Sequence, residues 1–335
     1  MLTIGNIPVN KSIKKVIITG GCGFIGSHIA KALQQHGGYR VVVIDHVQRA
    51  HTLKYINEFI QCDYDSKSAY SLIDNLQPDA IIHCAGSLLV GESVVNPALY
   101  YHNNVSKTIN FLQKCLLNDE FEPPSIVFSS SAAVYGNPLT LPVTEDNAIQ
   151  PINPYGHTKA MIEQVLADYD RAYNLKSVCL RYFNACGAEP FESDLGQVPG
   201  ASHIIARLLD ARLNNESFTL NGTDFNTKDG TCVRDYIHAW DLATAHIRAL
   251  EYLFAGGESV RLNLGTNTGI SNQEIINKVL EIAGPIDIRT GERREGDPDV
   301  LIADATRAQK LLNWYPVHSD LNTIVDSAWK WYQSR

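Results

Sequence analysis

Several features that would settle the class of this chain are missing from its sequence. No stretch approaches the ~18 uninterrupted apolar residues of a membrane-spanning helix. The opening "MLTIGNIPVNKSIKKV" has no long apolar run between its charges and makes a poor secretory leader. A basic excess is lacking too: 28 Lys and Arg against 36 Asp and Glu give a formal net charge of −8. A chain so acidic is not expected to bind nucleic acid, which needs a basic face. An anionic small molecule stays open, because a few arginines can build a local positive pocket. The seven cysteines are odd in number; none forms a C-x-x-C pair and no Cys/His cluster has zinc spacing. Reduced thiols, no metal and a cytoplasmic location are expected. Repeats, low-complexity segments and the G-x-S-x-G elbow of serine hydrolases are also absent.

What is present is alternation. The 335 residues suffice for one large domain or two smaller ones. Apolar runs of five or six, "KVIIT" (15–19), "VVVID" (41–45), "AIIHC" (80–84) and "SIVFSS" (125–130), are too short for helices and have no polar face. They suit strands covered on both sides. Amphipathic stretches of helical length lie at 24–36, 66–76, roughly 93–117 and 154–173. The pattern predicts an α/β fold, a Rossmann-type doubly wound parallel sheet. After the strand "SVCLRYFN" (177–184) a Gly-, Pro- and acid-rich loop breaks the pattern, followed by a helix at about 201–213. Helix 239–253 and strand 261–265 restore it. The expected division is a nucleotide-binding domain over 13–185, rejoined at about 233–265, and a smaller C-terminal domain from 186–232 and 266–335.

The first strand runs into "TGGCGFIGSH", with Gly20, Gly23 and Gly26 at three-residue spacing before a helix. Glycines there allow a tight turn, close approach to a pyrophosphate and tight helix–strand packing. The helix start, with Phe24 and Ile25, offers free N–H groups and the positive dipole end. Asp45 ends the second strand 19 residues beyond Gly26, where a carboxylate can hold a ribose 2′-hydroxyl and repel a 2′-phosphate. NAD is therefore expected rather than NADP, although Arg49 stands nearby. Asp63 ends a third strand and reads either as an adenine contact or as the N-cap of the next helix. Tyr155 and Lys159, four apart on a helix entered through Pro154, share one face. An adjacent cation favours the phenolate, so Tyr155 can act as a base near neutral pH.

With "HCAG" (83–86) and "PYGHTK" (154–159), the glycine pattern resembles the extended short-chain dehydrogenase/reductase superfamily over nearly the whole chain. The resemblance implies that Ser131, third serine of "FSSSAAVYGN", completes a catalytic set with Tyr155 and Lys159. It also puts Ser129, Ala85 and Gly86 beside the cofactor. Related nucleotide-sugar dehydratases carry an Asp–Glu pair where Ala132 and Ala133 stand, so elimination of water is not expected.

Four further segments, at 90–105, 180–187, 233–243 and 293–297, resemble the UDP-glucose/UDP-galactose 4-epimerases. By that resemblance the reaction is NAD-dependent 4-epimerisation of a UDP-sugar through a transient 4-keto sugar. Tyr182 and Phe183 border the nicotinamide, and Asn104 stands at the cofactor toward the sugar. Asn184 holds the substrate diphosphate, Arg234 and Arg294 grip phosphates, Asp297 meets a ribose, and His203 and Phe218 line the uridine pocket. Ser131 and Tyr155 face the sugar. A homodimer through the helices at 93–117 and 154–173 is implied as well. Two departures are visible: Leu88 replaces a lysine that reaches the cofactor phosphate, and Leu301 stands where sugar size is gated. UDP-pentose, UDP-uronate or UDP-N-acetylhexosamine remain alternatives. From a different class, a non-catalytic NAD(H) sensor does not need the Ser131, Tyr155 and Lys159 set.

Overall fold

A computed structural model describes residues 13–116, 122–197, 201–293 and 297–334. The apolar runs become β1 (Lys14–Thr19), β2 (Tyr39–Asp45), β3 (Glu58–Gln61), β4 (Ala80–His83), β5 (Ser125–Ser131) and β6 (Ser177–Tyr182). Next come β7 (Asn184–Cys186), β8 (Phe218–Asn221), β9 (Val233–His238) and β10 (Val260–Leu264). Seven strands form one sheet in the order β10-β6-β5-β4-β1-β2-β3, with all neighbours parallel.

Strand period explains why uninterrupted apolar runs are needed: alternate residues serve opposite cores. Val16, Ile18, Val41 and Val43 pack on one face, with Ile29 and Leu33 of α1 (Phe24–His36) and residues of a later helix at 239–254. Ile17, Val42, Ile44 and Ile81 pack on the other. After α2 (Ala50–Leu53), that second face is covered by α3 (Lys67–Leu76) and by two helices further along the chain. Each fully buried Ile or Val contributes about 1.5–3 kcal/mol. The order reverses between β1 and β4, so a crevice opens at the carboxyl ends of these strands, where a doubly wound sheet binds its ligand.

The long helix expected over 93–117 is not continuous. It divides into α4 (Val90–Val95), α5 (Pro97–Tyr100), a π-helical segment (Tyr101–Ser106) and α6 (Lys107–Leu116). Pro97 lacks an N–H and disfavours helical backbone at Asn96, whose ψ is 62°. In contrast, α7 (Pro154–Tyr173) runs unbroken, and α6 and α7 complete the cover of the second face. Next in the chain are α8 (Ile204–Asn214) and α9 (Ala239–Phe254), which lies beside α1.

The chain ends with β11 (Gly269–Ser271), α10 (Asn272–Ala283), β12 (Ile288–Gly291), β13 (Val300–Leu301), α11 (Thr306–Leu312) and α12 (Leu321–Gln333). Strand β9 pairs with β7, β11 and β13, and β8 pairs with β12. Helices α8, α10 and α12 share a separate core, which includes Ile205, Leu209, Ile276 and Ile324. Strand β6 leads directly into β7, so the large sheet hands the chain to the small one at Phe183. Among the described residues, no helix is long and apolar enough to cross a membrane.

An ion cluster ties α1 to the loop after β7. Lys31, 1% exposed, lies 3.2 Å from Glu189, 2.8 Å from Glu192 and 2.8 Å from Asp194. Glu189 is fully buried and also accepts from the amides of Phe191, Glu192 and Ser193. Burial alone would raise the Asp194 carboxyl, but bonds from Lys31, Lys54 and Tyr55 outweigh it and bring it down to about 2. A depressed carboxyl stabilises the fold above its unfolded value, and that contribution is lost as pH falls through about 2. Lys31→Met, which strands Glu189, is expected to cost about 3–5 kcal/mol. A urea titration measures this as a lowered midpoint, and the acid-side loss between about pH 4 and 2 becomes shallower in the variant.

Candidate active site

The crevice begins at the turn from β1 into α1. Gly20 has φ +70°, and a Cβ there would stand 2.8 Å from the Ala85 amide nitrogen. At Gly26 a Cβ would stand 2.3 Å from the Gly20 carbonyl oxygen, so the first turn of α1 packs directly on the loop. Gly23 precedes α1 with no side-chain cap. The leading amides, at Phe24, Ile25 and Gly26, therefore face whatever lies in the crevice. Gly20 and Gly26 tolerate nothing larger than hydrogen, as a cradle for close backbone approach to a phosphate requires.

A cavity of about 590 Å³ continues from the cradle, lined by Gly20, Gly23, Asp45, Asp63, Ala85 and Gly86 among others. Asp45 sits at the end of β2; its two carboxylate oxygens accept from the Cys22 amide at 2.9 Å and the Val47 amide at 3.0 Å. Asp63 pairs with Lys107 and accepts from the Asp65 amide. Burial raises its carboxyl, and those partners more than offset the rise. Its alternative role as a helix cap falls to Ser66, whose hydroxyl accepts from the Ala69 amide at the start of α3. Leu88 stands at the cavity rim, 66% exposed, and Lys107 brings an ammonium to the same cavity. Asn104 is buried on the π-helical segment: its amide oxygen accepts from the Ser87 amide, and its nitrogen donates to the Ser87 carbonyl and to Thr158. Its amide thus exchanges two hydrogen bonds with Ser87, bracing the Gly86–Ser87 turn, and ties that turn to Thr158 of α7 with the remaining N–H.

The proposed reacting groups meet at the end of β5. Asn153 caps α7 by accepting from the Gly156 amide at 2.8 Å, with Pro154 in the first helical position. Gly156 lets the helix start come close, because a Cβ there would stand 2.5 Å from the Ala133 carbonyl oxygen. Tyr155 is thereby brought close to Ser131. Burial raises the Tyr155 phenol, and the nearby Ser131 hydroxyl partly opposes the rise. Lys159, one turn on, donates to the Ser129 carbonyl at 2.7 Å and lies 5.8 Å from the Tyr155 ring centre. Burial pushes its ammonium down to about 8, against smaller upward effects from Cys84 and Glu163.

A chain of side chains fixes the next serine. His246 Nδ1 lies 2.8 Å from the Leu242 carbonyl and must donate to it, so Nε2 accepts from the Tyr182 hydroxyl. Ser129 Oγ lies 2.8 Å from that hydroxyl and 3.1 Å from Cys84 Sγ. Ala132 is buried with Phe183, Val143 and Ala303, and Leu301 packs against this cluster.

The remaining residues are distributed over the small unit. Asn184 donates to the Asp235 carbonyl at 2.9 Å. Arg234 lies 3.8 Å from Asp297 and donates to its neighbour's carbonyl, Val233, at 2.9 Å. Arg294 lies outside the described residues. His203 precedes α8; both ring nitrogens are buried without a partner, and burial lowers the imidazole to about 4. Phe218 is core on β8, under the Arg207 guanidinium at 5.1 Å. The structure thus gathers Ser131, Tyr155 and Lys159 at one end of the crevice, whereas Phe218 lies within the core of the small unit and His203 is half-buried near Ala206 and Ala328.

Several residues escaped sequence reasoning: Gly156, Cys84, His246, Glu163 and Arg181. The last two left a signal. A charged residue inside the apolar run "SVCLRYFN" implies a buried partner, and Glu163 falls four residues beyond Lys159 on the same face.

A dinucleotide cradle at the switch point, with a half-buried tyrosine and serine beside a buried lysine at the adjoining strand end, defines an enzyme of the dinucleotide-dependent α/β class. The chain belongs to the NAD dependent epimerase/dehydratase family, whose sequence profile matches residues 16–265. A UDP-glucose 4-epimerase of Rhizobium meliloti (strain 1021) is 42% identical over 332 residues, spanning 96% of this chain and 97% of the relative. The crystal structure of UDP-glucose 4-epimerase from Brucella ovis in complex with NAD superposes with a TM-score of 0.90 at 40% identity, over 95% of this chain and 98% of that one. A Stenotrophomonas maltophila UDP-glucose-4-epimerase with bound NAD and formylated UDP-arabinopyranose gives 0.89 at 35% identity, over 96% and 98%.

Proposed function

We propose that this protein interconverts UDP-glucose and UDP-galactose by NAD-dependent 4-epimerisation, and that Tyr155, Lys159 and Ser131 carry the reaction. The observation that carries this reading is the placement of Tyr155 beside both Ser131 and Lys159, followed by Ala132 and Ala133 in place of an acid pair. The named relatives support it. Bound NAD⁺ supplies a hydride acceptor that returns what it takes, so the net reaction is redox-neutral. Tyr155 takes the proton of the sugar 4-hydroxyl, Ser131 donates to the oxygen as it becomes a carbonyl, and Tyr155 returns the proton after the 4-keto sugar has turned. Lys159 stabilises the phenolate. No residue at Ala132 or Ala133 can protonate a leaving hydroxyl, so the keto sugar is kept from elimination.

By the same reading, the glycine-loop amides hold the pyrophosphate, Asp45 the ribose and Asp63 the adenine. Residues 13–185 with 233–265 make the NAD-binding domain; 186–232 and 266–335 make the UDP-sugar domain, where Asn184, His203, Phe218, Arg234, Arg294 and Asp297 serve the substrate. A homodimer is supported by exposed Val94 and Val95 on α4, which packs beside α7 and its exposed Met161. Sedimentation equilibrium tests this, and a monomer at micromolar concentration overturns it.

The activity test mixes the purified protein with UDP-galactose and assays UDP-glucose, without and then with added NAD⁺. No conversion in either case defeats the hexose assignment, and turnover of a UDP-pentose alone moves it to the sugar class of the Stenotrophomonas ligand. Asp45→Ala is expected to weaken NAD about 10–100-fold, the worth of a charge-assisted hydrogen bond, and to narrow the preference over NADP. Calorimetric titration with both nucleotides measures this, and an unchanged NAD/NADP ratio counts against Asp45 as the ribose ligand.

A further inference from the structure

Glu163 and Arg181 have no part in the chemistry above, yet they are the most deeply placed ion pair near it. Their side chains are 3% and 1% exposed. Glu163 Oε1 accepts from Ser130 Oγ at 2.6 Å and from Arg181 Nε at 2.9 Å; Oε2 accepts from Arg181 Nη2 at 2.6 Å. Arg181 Nη1 donates to the Tyr135 hydroxyl at 2.7 Å, which donates in turn to Asn263 Oδ1 at 2.7 Å. One connected set of bonds therefore joins α7, β5, β6, the turn after β5, and β10. Arg261 approaches the same carboxylate at 3.3 Å from a half-exposed position.

Stability alone does not call for charges here, because buried ion pairs are often replaceable by apolar residues without loss. What the pair adds is direction. The apolar contacts of α7 with the sheet, through Ile162 and Leu166, resist separation but only weakly resist sliding or rotation. A two-pronged carboxylate–guanidinium contact fixes both. Its third tie, Ser130, lies between the two residues that the reacting set uses. Ser129 takes the Lys159 ammonium on its carbonyl, and Ser131 stands beside Tyr155.

We propose that Glu163, held by Arg181 and bonded to Ser130, is a positioning residue that sets the register of α7 on β5, and so aims Tyr155 and Lys159 at Ser131. The inference rests on the reading of those three as the reacting set. Glu163 also adds negative charge facing Lys159, where Cys84 and Tyr155 stand as neutral thiol and phenol with neutral His83 behind them. Removing that charge lowers the pH at which the Tyr155–Lys159 pair gives up its first proton. A purely structural brace would leave that pH unmoved.

The test compares the NAD-loaded wild type with Ser130→Ala, Glu163→Gln and the double variant Glu163→Leu/Arg181→Met. The measurements are kcat and KM for UDP-galactose, the pH dependence of kcat, and Tm. Ser130→Ala is expected to lower kcat about tenfold with KM within about twofold; the apolar double variant is expected to stay folded and lose about 100-fold, as a misplacement near 1 Å does. Glu163→Gln is expected to carry the acid limb of the kcat profile to lower pH. The proposal is overturned if Ser130→Ala and the double variant both keep kcat within about twofold, or if their losses vanish on correction for folded fraction. Should the double variant fail to fold, Ser130→Ala decides alone. An inactive wild type overturns this proposal together with the reading of the site, whereas an active wild type with unaffected variants overturns the positioning role alone.

Discussion

Tyr155→Phe is expected to lower kcat by about 10²–10⁴, the usual worth of a positioned acid–base group, while bound NAD and KM stay near wild type. The substitution removes a single oxygen. The ring stays edge-on to Tyr100 at 6.5 Å between centres, and what is lost is the hydroxyl beside Ser131. The pH dependence follows from the neighbours. Burial raises Tyr155 and lowers Lys159 to about 8, so the two titrate as one pair. The form able to accept the substrate proton appears as that pair loses its first proton, and kcat should fall as pH drops below about 8. Bound NAD⁺ brings positive charge and moves that limb to lower pH. Single-turnover absorbance at the nicotinamide and steady-state conversion of UDP-galactose both report the effect. Near-normal turnover by Tyr155→Phe would remove Tyr155 from the mechanism.

Gly26→Ala is expected to abolish co-purification of NAD, with affinity reduced at least about 100-fold. The new methyl would stand 2.3 Å from the Gly20 carbonyl oxygen and 2.7 Å from the Gly21 Cα, both backbone atoms of the loop. No rotamer relieves such a contact. Either α1 lifts from the turn or the turn opens, and in both cases the leading amides move away from the place where a pyrophosphate would sit. Overpacking of this kind costs about 1–3 kcal/mol of stability, so the variant should fold with a lower Tm. Gly23→Ala is the internal comparison, since its methyl would meet the same oxygen at 3.2 Å and a small shift suffices. Retention of NAD by Gly26→Ala at wild-type stoichiometry would show that the cradle is not where the dinucleotide binds.

Both predictions rest on parts of the molecule that could be read before any coordinates. The doubly wound sheet was legible because strands covered on both faces carry apolar residues in both phases, as Val16 to Ile18, Val41 to Ile44 and Ala80 to Ile82 do. The glycine loop was legible because its spacing is a steric demand. The Tyr155–Lys159 pair was legible because helical periodicity places residues four apart on one face. The break at Pro97 was also written in the chain, yet the amphipathic pattern on either side of it hid the boundary.

Other features depended on where distant segments meet. Nothing around Asn104 shows that its amide is committed to Ser87, since that bond exists only when the π-helical segment lies beside the turn after β4. The two readings of Asp63 were separated by Ser66, three residues on, which takes the cap. Phe218 stands in the core of the small unit because α8, α10 and α12 close over it.

The sequence by itself determined the sheet, the dinucleotide turn and the spacing of the reacting pair, because these follow from local sterics and the periods of strand and helix. Tertiary structure alone decided that Glu163 and Arg181 share one buried carboxylate–guanidinium contact, that Gly156 admits α7 to the end of β5, and that Ser130 ties helix to strand. Those contacts join residues between 18 and 33 positions apart. Hydrogen bonds of that kind have no period, and only the packed sheet and helices bring their partners within reach.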